Sequence, residues 1–281
     1  MTPLFAALVF SFFSSVALSA VLPSRYLVQE LTKNSGAGVY QIEQVVLFPT
    51  AGEPIVLRET WWVANENTLR LQVTGLRELK DQFKLQYVYQ GGLRYGLGAS
   101  GRMQKKIGAD FIEKYFHYRS HDRLLTDLVQ MKLLPNSALS KKVVRSTKES
   151  DYKPEPLVRL GRTGGSVAFV FGSPAPLDGE PSAGFWIEQD TFALKKFRLP
   201  SNVEVIAEKH STSPRGLLFP RTRTVRWGSN SVQIQTFNVS AKSGLKSDFF
   251  SSAALETVNK TDGIQNPALK SLVEEFYLRY R

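Results

Sequence analysis

Three titratable residues at regular spacing are the pattern in this sequence most suggestive of chemistry. Glu113, His117 and His121 lie four residues apart. On one α-helix this spacing places them along a single stripe, where two histidines can share a metal ion. The zinc-peptidase motif requires a glutamate beside the first histidine, but Tyr118 follows His117 here. Two interpretations stay open, a metal site and a solvated helix face, and the incomplete motif favours the second.

Other residue types that support catalysis are scarce. The chain has no cysteine and only three histidines, the third being His210. No Gly-x-Ser-x-Gly motif is present, and Gly91-Gly92 and Gly164-Gly165 are isolated pairs rather than phosphate-binding loops. The sequence therefore predicts a protein that is not an enzyme and that needs no cofactor.

Basic residues exceed acidic ones, with a net charge of +11 and a pI of about 9.7. This surplus favours acidic partners such as lipid headgroups, acidic polymers or nucleic acid. Six clustered residues are predicted to contact an anionic surface: Lys141, Lys142, Lys195, Lys196, Arg221 and Arg223. The alternative for each cluster is a solvated strand edge, where lysines also prevent aggregation.

The first twenty residues carry no charged side chain and end in small residues, Ala17-Leu18-Ser19-Ala20. We predict a secretory signal peptide over residues 1–20, with an uncleaved anchor as the alternative. Because an exported chain without cysteine suits a bacterial periplasm, we expect a periplasmic or secreted protein of the cell envelope. That compartment argues against a nucleic-acid partner.

Short strands separated by turn residues dominate the elements that must position these groups. Between Gly184 and Phe250 the pattern predicts an antiparallel meander. Its period of two places Arg223 and Trp227 on one face of a strand, and Val232 and Ile234 together on the next. Similar strands are predicted from Val39 to Tyr95.

Helical spacing appears in three places: Pro23–Leu31, the insertion at about 109–135, and a final helix opened by Asn266 and Pro267. The insertion is predicted to form two short helices or one bent helix. Residues 137–163 are predicted to form a long irregular connection or to include one more short helix. We predict a mainly β (α+β) fold: a curved antiparallel sheet of about ten strands, or half-open β-barrel, with helices covering the concave face. Residues 21–281 are expected to form one domain.

Four segments carry a family resemblance. They are the opening strand Val39–Gln44, the tryptophan hairpin Glu59–Leu71, the glycine turn within Tyr87–Tyr95, and the closing meander from Phe185 to Val239. In order and spacing the chain resembles the LolA/LolB-like superfamily of bacterial periplasmic and outer-membrane lipid carriers. The resemblance implies a half-open β-barrel with a helical lid around an apolar cavity that holds acyl chains.

Aromatic residues make up 11% of the chain, and many lie on the predicted strands. If inward side chains fill the curved sheet they form a core, and if they leave space they line an acyl pocket. Candidate cavity residues are Trp61, Leu71, Tyr87, Phe116, Phe169, Trp186 and Trp227. We therefore predict a carrier or sorting factor for acyl chains of a lipid or lipoprotein. The alternative is an envelope scaffold with a filled β core that binds a protein partner.

Overall fold

One continuous antiparallel sheet forms the framework of the molecule. The structure is a computed structural model that describes residues 21–140, 155–175, 181–246 and 248–281. Fourteen strands pair where about ten were predicted. Their bounds are β1 (Val39–Phe48), β2 (Ile55–Asn65), β3 (Thr68–Gly75), β4 (Phe83–Gln90), β5 (Leu93–Gly98), β6 (Gly101–Lys106), β7 (Val158–Thr163), β8 (Ser166–Phe171), β9 (Gly184–Glu188), β10 (Leu194–Arg198), β11 (Glu204–Ser213), β12 (Leu217–Trp227), β13 (Asn230–Lys242) and β14 (Lys260–Thr261).

The sheet consists of two meanders joined side by side. Its order is β6-β5-β4-β3-β2-β1-β13-β12-β11-β10-β9-β8-β7, and β14 adds to β4. The long strands β1 and β13 pair at the junction, with Val46 opposite Ile234. Strands β6 and β7 are the two edges and do not pair with each other, so the curved sheet stays open. This architecture confirms the predicted fold class.

The period-two pattern explains which side chains face inward. On β13, Val232 and Ile234 are buried, whereas Phe237 on the opposite face is 47% exposed. On β12, Val225 and Trp227 are buried and Arg226 between them is exposed. The faces predicted for these strands are therefore correct, and a concave apolar face follows from them.

Three α-helices are present among the described residues: α1 (Ser24–Lys33), α2 (His121–Gln130) and α3 (Pro267–Glu275). The predicted cap of the last helix is confirmed, since the Asn266 side chain accepts a hydrogen bond from the Leu269 amide at 3.1 Å. Helix α3 runs into a π-helical turn, Phe276–Tyr280, whose Phe276 ring packs on Phe48 of β1. The C-terminal segment therefore covers the concave face of the sheet.

The insertion between β6 and β7 also lies on the concave face, and two short helical segments form in it, as one of the two predicted alternatives has it. A 3₁₀ turn, Glu113–Phe116, is followed by extended residues and then by α2, which Ser120 caps. Tyr115 in the turn contacts Phe197 of β10 at a ring distance of 4.8 Å. Strand β7 lies inside the stretch 137–163 that was predicted to be irregular.

The opposite, convex face is covered on one side by residues 248–259. Arg70 on β3 donates hydrogen bonds to the main-chain oxygens of Phe249 and Ala254 at 2.9 and 2.8 Å. The Trp62 and Phe249 rings also meet edge to face. The chain then pairs with β4 as strand β14. It continues into α3 on the concave side.

The predicted signal peptide and the predicted contacts of Lys141 and Lys142 lie outside the described residues. Within the described ranges, no helix has both the length and the apolar character needed to cross a membrane.

Candidate functional site

Four charged side chains meet at the centre of the concave face. Glu59, Glu113, Arg223 and Arg281 are each at most 2% exposed, and we call them the interior ion cluster. Arg223 Nη1 donates to Glu113 Oε2 at 2.9 Å, and Arg281 Nη1 donates to the same oxygen at 2.6 Å. Arg281 Nε donates to Glu59 Oε1 at 3.2 Å. The cluster thereby joins the sheet to the insertion and to the C-terminal segment.

Neutral side chains add further hydrogen bonds to the cluster. Gln44 on β1 donates to Glu59 Oε2 and accepts from Arg223 Nη2, each at 2.5 Å. Trp61 Nε1 donates to the same Glu59 oxygen at 3.0 Å. The Arg223 guanidinium also lies 4.9 Å from the Phe116 ring centroid. Buried charges are tolerated when they are paired and hydrogen-bonded in this way.

Charge pairing keeps Glu113 ionised despite complete burial. Burial by itself raises the pKa of this carboxyl, but Arg223 and then Arg281 outweigh it and hold the pKa far below the ordinary value. Burial lowers the pKa of His117, so its ring is neutral near pH 7. Because the Glu113 carboxylate only accepts, His117 Nε2 donates to its Oε1, 3.2 Å away.

The predicted stripe of Glu113, His117 and His121 does not form. His121 begins a separate helix and contacts Arg25 and Asp122 near the surface. The first two residues are buried, so the interpretation as a solvated helix face is also wrong. No three His, Asp or Glu side chains converge as metal ligands within residues 21–140, 155–175, 181–246 and 248–281.

Most of the predicted cavity residues are core residues. Five are buried against other parts of the chain: Trp61, Leu71, Phe116, Phe169 and Trp227. Tyr87 is partly buried beside this core. Trp186 was predicted to face the cavity, but it lies on the opposite face from buried Phe185 and Ile187, where Lys196 Nζ is 5.0 Å from its ring centroid. The centre of the concave side is therefore occupied by the protein's own side chains.

The residues predicted to contact an anionic surface lie in different environments. Arg223 is a buried member of the ion cluster, so its assignment to the surface is wrong. Lys195 and Lys196 lie near the carboxylates of Glu188 and Glu204, at 3.6 and 2.7 Å. The exposed Arg221 donates to Ser211 Oγ at 2.8 Å. Whether any of these residues contacts an anionic surface stays a prediction.

An open cavity of about 320 Å³ lies beside the β6 edge, and we call it the edge cavity. Strands β4 to β6 form one wall and the turn after α3 forms the other. Its floor contains the stacked rings of Tyr89 and Phe111, whose centroids are 4.9 Å apart. Its other principal lining residues are Arg94, Lys105, Leu278 and Arg281. A second cleft of about 500 Å³ lies across the segment 106–109 and is lined by both charged and apolar residues.

The sequence contained a signal for part of the interior ion cluster. Gln44, Glu59 and Arg223 occupy inward positions of strands whose other inward residues are apolar. Such interruptions of a period-two pattern mark buried polar groups. No sequence pattern indicated that Arg281 reaches the same place, because that contact depends on the path of the chain after β13.

The comparisons with known proteins bear on the fold. A LolA superfamily protein from Nitrosomonas europaea matches with a TM-score of 0.52 at 10% identity, covering 83% of this chain and 100% of that one. The fold is LolA-like. The sequence matches no family model and no curated relative.

Two further solved structures align over similar lengths. A putative outer membrane lipoprotein-sorting protein domain from Vibrio parahaemolyticus has a TM-score of 0.48 at 11% identity, covering 82% of this chain and 97% of that one. A DUF1329 family protein from Desulfovibrio piger gives 0.48 at 11% identity, with 83% and 97% covered. At such identities the likeness concerns the fold alone, so the function of this LolA-like sheet has to be argued from its own residues.

Proposed function

We propose that the protein is a non-enzymatic carrier or sorting factor of the bacterial cell envelope that binds an acyl chain of a lipid or lipoprotein. The LolA-like fold, the predicted export of the chain and its net charge of +11 support this proposal. The acyl chain binds on the concave side of the sheet, and its burial provides the free energy of binding, about 0.8 kcal/mol per methylene.

The edge cavity is the observation that carries the proposal. Its volume of about 320 Å³ falls in the range of ligand pockets, roughly 300–1,000 Å³. Tyr89 and Phe111 on its floor belong to the aromatic core, and Leu278 on its wall is 56% exposed. An acyl chain lying there covers the exposed Leu278 side chain beside this core.

The filled centre limits how much of a ligand enters. A gap beside Tyr115 and Phe116, between the insertion and β10, is about 20 Å³, room for a single water molecule. A longer chain therefore requires the insertion to move off the sheet, and that movement separates Glu113 from Arg223. Because a buried ion pair is costly to separate, such an opening is rare and exchange through it is slow.

A second candidate function is an envelope scaffold that binds a protein partner, and the filled concave face favours it. Aromatic side chains and the interior ion cluster occupy the centre where the resemblance implied an acyl cavity. In this case the edge cavity plays no part in function.

Lipid analysis of the exported protein separates the two candidates. The intact protein, purified from a bacterial envelope fraction, is examined by native mass spectrometry and its organic extract is analysed for acyl chains. The carrier proposal predicts a bound lipid species in stoichiometric amount, reduced in Leu278→Ala. The matched control is Val167→Ala, an exposed apolar residue on β8 away from the edge cavity. A lipid-free protein that also binds no added decanol or decanoate contradicts the carrier function and favours the scaffold.

A further inference from the structure

The edge strand β6 is exposed along nearly its whole length. Five of its six residues are exposed, whereas on the other edge strand, β7, only Arg162 is exposed. Among the described strands, β6 pairs with β5 alone. It contains no proline, and its register with β5 runs without a bulge from Leu93 opposite Lys106 to Gly98 opposite Gly101. A regular edge of this kind can accept a further strand.

The hydrogen-bond register shows which main-chain groups of β6 point away from β5. The Ile107 amide donates to the Gly92 oxygen at 2.9 Å, and this pair continues the register of the two strands. In an antiparallel ladder, hydrogen-bonded pairs alternate with pairs that are not hydrogen-bonded. The amides and carbonyls of three alternate residues therefore face the free edge: Arg102, Gln104 and Lys106. They offer three donors and three acceptors to a strand that pairs there.

The charge of this region selects the partner. Residues 82–109 include no acidic residue and five basic ones. Lys105 and Lys106 have no ion-pair partner within the described residues. Arg102 Nη2 donates to a neutral group, the main-chain oxygen of Ala253, at 3.3 Å. Because opposite charges across a strand pair attract, a strand that carries carboxylates is favoured beside β6.

The same charges disfavour a second copy of this chain as the occupant. If two β6 strands paired about a two-fold axis at Gln104, Arg102 of one copy would lie opposite Lys106 of the other. Like charges that face each other directly destabilise a strand pair. The basic residues of β6 therefore prevent self-association but leave the edge available to an acidic strand.

We propose that β6 binds an extended acidic segment of a partner polypeptide as an additional antiparallel strand. The alternation of side chains defines that segment. Arg102, Gln104 and Lys106 lie on one face of β6. Met103, which is 49% exposed, lies on the other face with Lys105. The favoured partner sequence is Glu-Glu-Thr-Val-Glu, in which the valine covers the methionine and each glutamate faces a basic residue. This interaction goes beyond the proposed function, because it requires no acyl ligand.

Fluorescence anisotropy of labelled synthetic peptides tests the proposal on the intact protein at low salt. The probe is Thr-Glu-Glu-Thr-Val-Glu-Thr, with an N-terminal fluorophore and a C-terminal amide. It should bind at least about tenfold more tightly than the same peptide with lysines in place of the glutamates, because three attractive charge pairs become repulsive.

Methylation of single peptide amides separates strand pairing from attraction between charges, since it leaves the charge unchanged. The central threonine lies opposite Gln104, so its amide points towards β6. Its N-methylation removes a hydrogen bond and should weaken binding about tenfold. The amide of the valine points away from β6, and its N-methylation should leave the affinity nearly unchanged.

Variants locate the binding on β6. Gln104→Pro removes an outward amide at an edge position where proline is tolerated, so the protein should fold while its affinity for the peptide falls about tenfold. Gln104→Thr keeps the amide and is the matched control. Replacing Lys105 and Lys106 by glutamine should weaken binding more at low salt than at high salt, and Arg162→Gln on β7 should not. If Gln104→Pro does not fold, the two methylated peptides decide the question.

The contrary outcomes are distinct. Equal effects of the two N-methyl groups contradict strand pairing and leave β6 as a basic surface. Binding of phosphatidylglycerol vesicles but not of the peptide contradicts the proposal and makes β6 a membrane contact. A dimer of the intact protein that Gln104→Pro abolishes contradicts it in favour of a second copy. A protein that carries lipid but binds no peptide overturns this proposal alone, whereas a lipid-free protein that binds the peptide as expected supports it without the carrier function.

Discussion

Arg223 on β12 and Glu113 on the insertion form a fully buried ion pair, with Nη1 and Oε2 2.9 Å apart. The two residues are 110 positions apart in the sequence and lie on elements that pack face to face. The pair therefore fixes the insertion on the concave face of the sheet. It also occupies the central space that an acyl chain requires in a hollow carrier.

Removing one partner of this pair should destabilise the protein strongly. Arg223→Met leaves the fully buried Glu113 with a single guanidinium partner, and we expect a loss of about 3–5 kcal/mol in the free energy of unfolding. Urea denaturation followed by circular dichroism measures it. Arg77→Gln is the control, because Arg77 and its partner Glu53 are mostly exposed and such pairs contribute about 1 kcal/mol or less. Equal losses in the two variants are incompatible with a structural role for the cluster.

The pH dependence of stability should report the burial of His210. Burial, and then the charge of Lys195, lower its pKa to about 4 from an ordinary 6.5. The unfolded chain therefore binds a proton here below pH 6.5 while the folded protein does not, so stability falls as the pH drops from 6.5 towards 4. In His210→Gln this fall should be smaller, measured as unfolding free energies at pH 7 and pH 4.5. His121→Gln, at the surface, controls for loss of an imidazole.

Much of the sheet was predictable, because a strand with one buried face imposes a period of two on its sequence. The start of β1 at Val39 and the faces of β12 and β13 follow from that pattern alone. Strand β7 was missed. Its sequence, Val158–Thr163, includes two arginines and a glycine, and its pairing with β8 rather than its own residues stabilises it.

The candidate site was less predictable, because its residues come from distant parts of the chain. The spacing of Glu113 and His117 was noticed, but a helix was assumed and the meaning of the pattern was therefore wrong. A 3₁₀ turn places these residues against the sheet, where Arg223 meets them. The edge cavity depends on β6 and on the turn after α3, and no local pattern places those elements together.

Neighbouring residues of the C-terminal turn should have separate effects on stability and on ligand binding. Phe276 is fully buried against Phe48 and Trp227, so Phe276→Ala should cost about 3–5 kcal/mol of unfolding free energy. Leu278 is 56% exposed, and Leu278→Ala should leave stability nearly unchanged while weakening decanoate binding. Chemical denaturation and calorimetry measure the two effects. If Leu278→Ala is less stable but binds decanoate as tightly as the unchanged protein, Leu278 does not contact the ligand.

Binding to anionic membranes should depend on unpaired lysines rather than on the clusters most visible in the sequence. Lys195 and Lys196 lie near the carboxylates of Glu188 and Glu204, which reduce the positive field that they present. Lys105 and Lys106 are exposed on the edge strand, and neither has an ion-pair partner within the described residues. Because each basic side chain near an anionic surface contributes about 1 kcal/mol, replacing Lys105 and Lys106 by glutamine should weaken binding to phosphatidylglycerol vesicles about tenfold or more. The same change at Lys195 and Lys196 removes equal charge and should have a smaller effect, measured by vesicle co-sedimentation at low salt. A larger loss from the second double variant places the membrane contact on β10 instead.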